Sequence, residues 1–240
     1  MDALRSALFM VVQFVTTPVF AIIALMTFPL PRFTRHWIIG RWSFLTLFFV
    51  RHILGIRYRV LGRENIPDRP SVILAKHQSA WETLAFQAIF PPQVWVLKKS
   101  LLWIPFLGWG LAMMSPIAID RSKTREAMRS TLEQGRRRLD AGFWVVIFPE
   151  GTRMRPGERG QYRSGGAVLA AETGAPVVPV AHNAGRVWPK NSFVKHPGTV
   201  TVSIGPTIET RERTAADVIR EVEDWIEAEM ARIDVPAEKR

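Results

Sequence analysis

The stretch that decides the fold is SVILAKHQSAWETLAFQAIF, residues 71–90. Its first part, SVILAK (71–76), is apolar and β-branched and reads as a strand. Its second part, SAWETLAFQAIF (79–90), reads as the helix that follows. At the junction stand Lys76 and His77, with Glu82 five residues beyond the histidine. On one regular helix, residues five apart point about 140° away from each other. His77 and Glu82 therefore meet only if the histidine sits at the strand end and the acid in the first helical turn. Ser79-Ala80-Trp81-Glu82 supports that placement. It matches a capping box, with Ser79 as N-cap and Glu82 three residues on. Capping and catalysis compete for the same carboxylate oxygens without excluding each other. A carboxylate beside histidine fixes its tautomer and favours the imidazolium, which makes His77 a candidate general base.

The same texture extends along the chain from Gly55. IRYRVLG (56–62), QVWVLKK (93–99), PIAID (116–120), FWVVIFP (143–149), PVVPVA (176–181) and TVTVSIG (199–205) read as further strands. Residues 123–139 and 214–233 read as helices. In the last helix Val218, Val222, Trp225, Ile226, Met230 and Ile233 share one face opposite acids, a packing stripe. The expected fold class is α/β, with a mixed, mainly parallel sheet flanked by helices. In such sheets ligands bind beyond the strand C-termini, and the polar residues of interest cluster there.

The N-terminal part differs. Residues 6–31, SALFMVVQFVTTPVFAIIALMTFPLP, carry no charge, which exceeds the roughly 20 apolar residues a helix needs to cross a bilayer. Arg5 precedes this stretch, and Arg32 and Arg35 follow it. Pro29-Leu30-Pro31 ends the helix and turns the chain. A second apolar block, HWIIGRWSFLTLFFVRHILG (36–55), is interrupted by Arg41 and Arg51. The pair reads as a membrane-embedded helical hairpin, the first arm inserted and the second interfacial or re-entrant. A cleaved signal peptide fits less well, because the stretch exceeds the usual apolar region of about 7–15 residues and lacks a small-x-small cleavage site. A hairpin buried in a soluble protein is the other alternative. The expected division is 1–54 for the anchoring hairpin and 55–240 for a catalytic domain.

Of the 240 residues none is cysteine. That excludes disulfides, thiolate metal sites and a cysteine nucleophile, and fits a reducing compartment. The net charge of +11 favours an anionic partner: nucleic acid, anionic lipid or a phosphorylated substrate. Nucleic acid is the poorest of these, because the aromatic residues sit in apolar runs instead of alternating with basic ones. No G-x-S-x-G elbow, phosphate-binding loop of the G-x-x-x-x-G-K-[ST] type or H-E-x-x-H motif is present. The remaining histidines, 36, 52, 182 and 196, are scattered and form no ligand cluster by spacing.

A second polar station is FPEGTRMRPGE (148–158). Glu150-Gly151-Thr152-Arg153 follows a strand and offers turn amides, a hydroxyl and a guanidinium, a set suited to phosphate; a plain polar loop with a Glu150–Arg153 pair is the alternative. IDRSKTR (119–125) offers Arg121 at another strand end, and residues 165–166 place two glycines at a helix start. KKSLLWIPFLGWG (98–110) joins Lys98 and Lys99 to an aromatic run that reads either as core or as lining for a lipid tail.

The order KHQSAWET, KKSLLWIPFLGWG, PIAIDR, FPEGTR, APVVPVA resembles the glycerolipid acyltransferases, over about residues 55 to 210. The hairpin resembles that family's membrane module. The resemblance implies transfer of an acyl chain from acyl-CoA or acyl-carrier protein to the free hydroxyl of lysophosphatidic acid, with no cofactor and no metal. It implies His77 as base, Glu82 orienting it, the Glu150–Arg153 block and Arg121 on the glycerol phosphate, and Lys98 and Lys99 in charge stabilisation. It also implies a bacterial inner membrane location with the catalytic part on the cytoplasmic side. Three departures stand out: Glu82 replaces the usual aspartate, Lys76 stands where asparagine often precedes the histidine, and YRSGG replaces a phenylalanine-lysine-lysine-glycine stretch. Another lysolipid acceptor, such as a lyso-ornithine lipid, and a non-catalytic protein that binds anionic lipid are the competing readings.

Overall fold

A computed structural model describes residues 1–120 and 124–234. Seven strands form one sheet: β1 (Ile56–Leu61), β2 (Val72–Ala75), β3 (Gln93–Lys98), β4 (Ile117–Ile119), β5 (Trp144–Ile147), β6 (Val177–His182) and β7 (Gly198–Ile204). Their spatial order is β1-β7-β6-β2-β5-β3-β4. Every neighbouring pair is parallel except β6 and β7. All seven expected strands are present, and the sheet is mixed and mainly parallel as expected.

β2 lies in the middle, between β5 and β6, and all four of its residues are buried. Period-two alternation sends Ile73 and Ala75 to one face and Val72 and Leu74 to the other. Helices cover both faces, so both sets are apolar. On the first face lie α1 (Asp2–Met26), α2 (Arg32–His52) and α3 (Trp81–Ile89), whose Phe9, Val50, Trp81 and Phe86 join the core there. On the second lie α5 (Thr124–Asp140), α6 (Gly165–Thr173) and α7 (Ala215–Ile233). The expected stripe of α7 packs as read: Val218, Val222, Ile226, Met230 and Ile233 are buried. α6 comes so close to β2 that a Cβ on Gly166 would lie 2.4 Å from the Leu74 side chain.

The hairpin forms, and it stays against the sheet domain. α1 packs on α2 and on α4 (Leu107–Met113), and α2 packs on α3. The expected boundary at 54/55 falls in the link between α2 and β1, while Val50 and Leu54 already belong to the core of the sheet's first face. Among the described residues only α1 is long and apolar enough to cross a membrane, with a mean hydropathy of 2.3 over its most apolar window. The second block makes one continuous helix, with Arg41 turned outward over the Trp37 ring at 4.2 Å. The aromatic run 98–110 is not core. It folds as a short 3-10 turn and α4, and leaves Trp103, Ile104, Phe106 and Trp109 at the surface beside α1.

Candidate active site

His77 leaves the C-terminal end of β2, and Glu82 sits in the first turn of α3. The two meet: His77 Nδ1 lies 2.7 Å from Glu82 Oε1. That oxygen also accepts from the backbone N–H of Gln78 at 3.1 Å and of Ser79 at 2.8 Å. One carboxylate oxygen thus closes the reverse half of the capping box and holds the imidazole as well. Ser79 Oγ accepts from Trp81 N instead of from Glu82 N, and the N-cap is Ala80, one residue later than read.

Glu82 is fully buried. Burial pushes its carboxyl up, but the adjacent His182 and His77 rings and the hydrogen bonds on Oε1 outweigh that and hold it below the usual carboxylate range. An ionised carboxylate only accepts hydrogen bonds, so His77 Nδ1 must donate and Nε2 is left as the lone-pair nitrogen. The ring lies flat on Phe148, with centroids 3.9 Å apart and planes within 10°. Its side chain is 16% exposed.

The backbone of His77 is gripped on both sides by the segment after β5. Its N–H donates to Glu150 Oε2 at 2.9 Å, and its C=O accepts from Met154 N at 2.7 Å. Parallel pairing of β2 with β5 brings these two strand ends together. Gly151 makes the turn between them possible, with φ of +67° and its N–H on the Phe148 carbonyl. Arg153 is half-buried in this turn and Thr152 is exposed.

Glu150 faces the other way from the rest of its block. Its carboxylate is buried, one oxygen on His77 N and the other 2.8 Å from Lys76 Nζ. The expectation that it joins the phosphate ligands is therefore corrected: both oxygens are committed inside the fold. Burial pushes the Glu150 carboxyl up, against the pull of Lys76 and the His77 amide. Lys76 is itself 1% exposed and reaches Glu227 of α7 at 2.8 Å and the Glu158 carbonyl at 3.1 Å. Tyr162 donates to the same Glu227 oxygen at 2.8 Å. Burial and these acids push the tyrosine hydroxyl up, so it stays a donor. Lys76 thus joins β2, the loop after β5 and α7 next to His77. Removing one partner of such a buried group costs about 3–5 kcal/mol.

Other sequence-derived candidates are placed less tightly. Lys98 and Lys99 are exposed at the C-terminal end of β3, with β5 between them and β2. Arg121 lies outside the described residues. Three contributors were not legible in the sequence. His182, at the end of β6, is fully buried and donates from Nε2 to the Lys76 carbonyl at 2.8 Å. Burial lowers its pKa against the pull of the Glu82 carboxylate. Arg163 lies over Gly151, its Nε 3.6 Å from where a Cβ would stand. Lys190 donates to the Arg153 carbonyl at 2.7 Å. Lysine inside an apolar strand run is itself a signal of a buried partner, but nothing in the sequence pointed to Glu227.

This constellation is a histidine–carboxylate pair and a polar loop at the C-terminal ends of central parallel strands. A family model described as Acyltransferase matches residues 57–183, which hold both His77–Glu82 and Glu150–Arg153. The chain belongs to the acyltransferase family. It is an enzyme of the O-acyltransferase class. This acyltransferase is 41% identical over its whole length to the 1-acyl-sn-glycerol-3-phosphate acyltransferase of Pseudomonas aeruginosa, covering 95% of that protein. It is 35% identical to the yeast (Saccharomyces cerevisiae) enzyme of the same name over 59% of this chain and 48% of that one. Its fold matches the crystal structure of the 1-acyl-sn-glycerophosphate acyltransferase PlsC from Thermotoga maritima, with a TM-score of 0.82 over 99% of this chain and 98% of that one at 21% identity.

Proposed function

We propose that this acyltransferase moves an acyl chain from acyl-CoA or acyl-carrier protein to the free hydroxyl of lysophosphatidic acid, giving phosphatidic acid for phospholipid synthesis. The names of its relatives support the acceptor. The observation that carries the mechanism is His77 with Nδ1 tied to a buried carboxylate and its backbone one hydrogen bond away from the Arg153 turn, which leaves Nε2 as the nitrogen for the substrate.

The acceptor hydroxyl gives its proton to His77 Nε2 as its oxygen attacks the thioester carbonyl. Glu82 stabilises the imidazolium that forms. The new oxygen–carbon bond makes a tetrahedral oxyanion, for which turn amides or Lys98 and Lys99 are the donors. Collapse breaks the carbon–sulfur bond, and the thiolate takes the proton back from His77. Arg153, with Arg121, holds the acceptor's phosphate and so positions its hydroxyl. Glu150 and Lys76 keep the base-bearing turn and the Arg153 turn in register. The chain has no cysteine and no serine elbow, which supports direct transfer without an acyl-enzyme.

The hairpin is proposed to hold the enzyme in the bilayer where the acceptor is dissolved. Phe14 is 81% exposed on α1 and Trp103 80% exposed before α4. With Val15, Val19, Ile22 and Trp109 they form an apolar outer surface on elements that pack together. We place the protein at the bacterial inner membrane with its site on the cytoplasmic side, where both acyl donors occur.

A membrane assay with lysophosphatidic acid and labelled acyl donor tests the reaction. Wild type forms phosphatidic acid, and His77→Ala abolishes it while the melting temperature in detergent stays within a few degrees. Transfer undiminished in His77→Ala excludes this mechanism.

A further inference from the structure

The segment 184–197 joins β6 to β7 and lies beyond the residues that the family model matches. It is ordered by its own contacts. His196 N donates to the Val187 carbonyl at 2.8 Å and closes the base of the loop. Lys195 Nζ reaches the carbonyls of Ser192 and Phe193 and lies over the Trp188 ring. Helix α1 clasps the same loop at three points. His196 Nδ1 meets Asp2 at 2.9 Å, Lys195 N donates to Ser6 Oγ at 2.9 Å, and Phe9 meets Trp188 edge-on at 5.5 Å. From this braced loop Lys190 donates to the Arg153 carbonyl at 2.7 Å.

His77 and Lys190 are therefore joined through the Arg153 turn. The His77 carbonyl accepts from Met154 N, and the Arg153 carbonyl accepts from Lys190 Nζ. An ammonium has three donors, and one is used here. Among the described residues no carboxylate pairs with Lys190 or with the Arg153 guanidinium. The Lys190 ammonium, 2.7 Å from the Arg153 carbonyl, adds a second positive charge to the turn that bears the Arg153 guanidinium, and uncompensated positive charge attracts an anion.

We propose that Lys190 is a second cation of the acceptor's phosphate site, placed there by a loop that the lipid-facing helix α1 holds. This rests on the reading of Arg153 as the phosphate ligand. The loop gives the site a link to the hairpin: whatever seats α1 also seats Lys190.

The test is steady-state kinetics of the full-length enzyme in mixed micelles with lysophosphatidic acid and acyl-CoA, for wild type, Lys190→Met, Lys190→Arg and Arg153→Ala. Lys190 is exposed, so its variants fold, and melting temperatures verify this. Lys190→Met should raise KM for lysophosphatidic acid about tenfold, with kcat within about twofold and KM for the donor unchanged, the loss expected for one charge-assisted contact. Lys190→Arg should restore most of the affinity. If Lys190→Met raises both KM values or lowers kcat to the same degree, the lysine only props the turn and the proposal fails. If Arg153→Ala raises KM for lysophosphatidic acid and Lys190→Met does not, the proposal fails and the phosphate role of Arg153 stands. If neither variant raises it, the phosphate reading itself falls.

Discussion

Glu82→Gln isolates the charge of the buried carboxylate from its shape. The amide oxygen can still accept from Gln78 N and Ser79 N, so the turn into α3 is kept. What disappears is the negative charge 2.7 Å from His77 Nδ1. At an effective dielectric of about 20, two unit charges about 4 Å apart attract by about 4 kcal/mol. In the proposed mechanism that attraction exists only while His77 carries the proton of the acceptor hydroxyl, so its loss raises the barrier and leaves acceptor binding alone. A loss of about 3–4 kcal/mol corresponds to a fall of roughly 10²–10³-fold in kcat. The amide NH₂ takes the place of Oε2, which is buried and has no hydrogen-bond partner. Leaving a buried donor unpaired costs about 1–3 kcal/mol of stability. The assay pairs kcat at saturating lysophosphatidic acid and donor with the melting temperature of the same preparation. The expected result is a collapse of kcat, both KM values within about threefold of wild type, and a modest fall in melting temperature. A variant that melts several degrees lower yet turns over within threefold of wild type would show that Glu82 serves only as a helix cap, and would refute the reasoning.

Two further predictions follow from burial. His182 is held below its ordinary pKa by burial, so below about pH 6.5 the unfolded chain binds a proton that the native chain refuses. Stability therefore falls with acid in that range, with a slope of at most about 1.4 kcal/mol per pH unit from this group; melting temperatures from pH 7.5 to 5 should show a gentler fall for His182→Gln, and identical slopes would contradict the assignment. Phe14→Glu, on the outer face of α1, should reduce binding to phospholipid vesicles at least tenfold in flotation, since it removes about 2 kcal/mol of apolar burial in lipid, while leaving the melting temperature in detergent unchanged; undiminished flotation would mean that this face does not contact the bilayer.

Much of the fold was legible because strands and amphipathic helices write their periods into the chain. Val72 to Ala75 reads as a strand on its own, and the stripe Val218, Val222, Ile226 reads as one helix face. The His77–Glu82 contact was also legible, because two residues five apart meet across a strand-to-helix turn but not within one helix, and the capping-box pattern marked that turn although Ser79 is not the N-cap. The run 98–110 misled on one of its two readings, since aromatic residues mark burial without saying whether protein or lipid does the burying. Arg121, read from sequence as a phosphate ligand, lies outside the described residues.

The sequence by itself determined the strand and helix content, the His77–Glu82 pair and the apolar hairpin, because each depends on residues close together along the chain. Only the tertiary structure decided that Glu150 turns inward to Lys76 and that Glu227, 77 residues further on by number, completes that buried cluster. It alone brought Lys190 to the Arg153 turn and laid α1 along the sheet domain. Those contacts depend on strand order, and the order β6-β2-β5 is set by how the whole sheet packs between its helices, which no local period records.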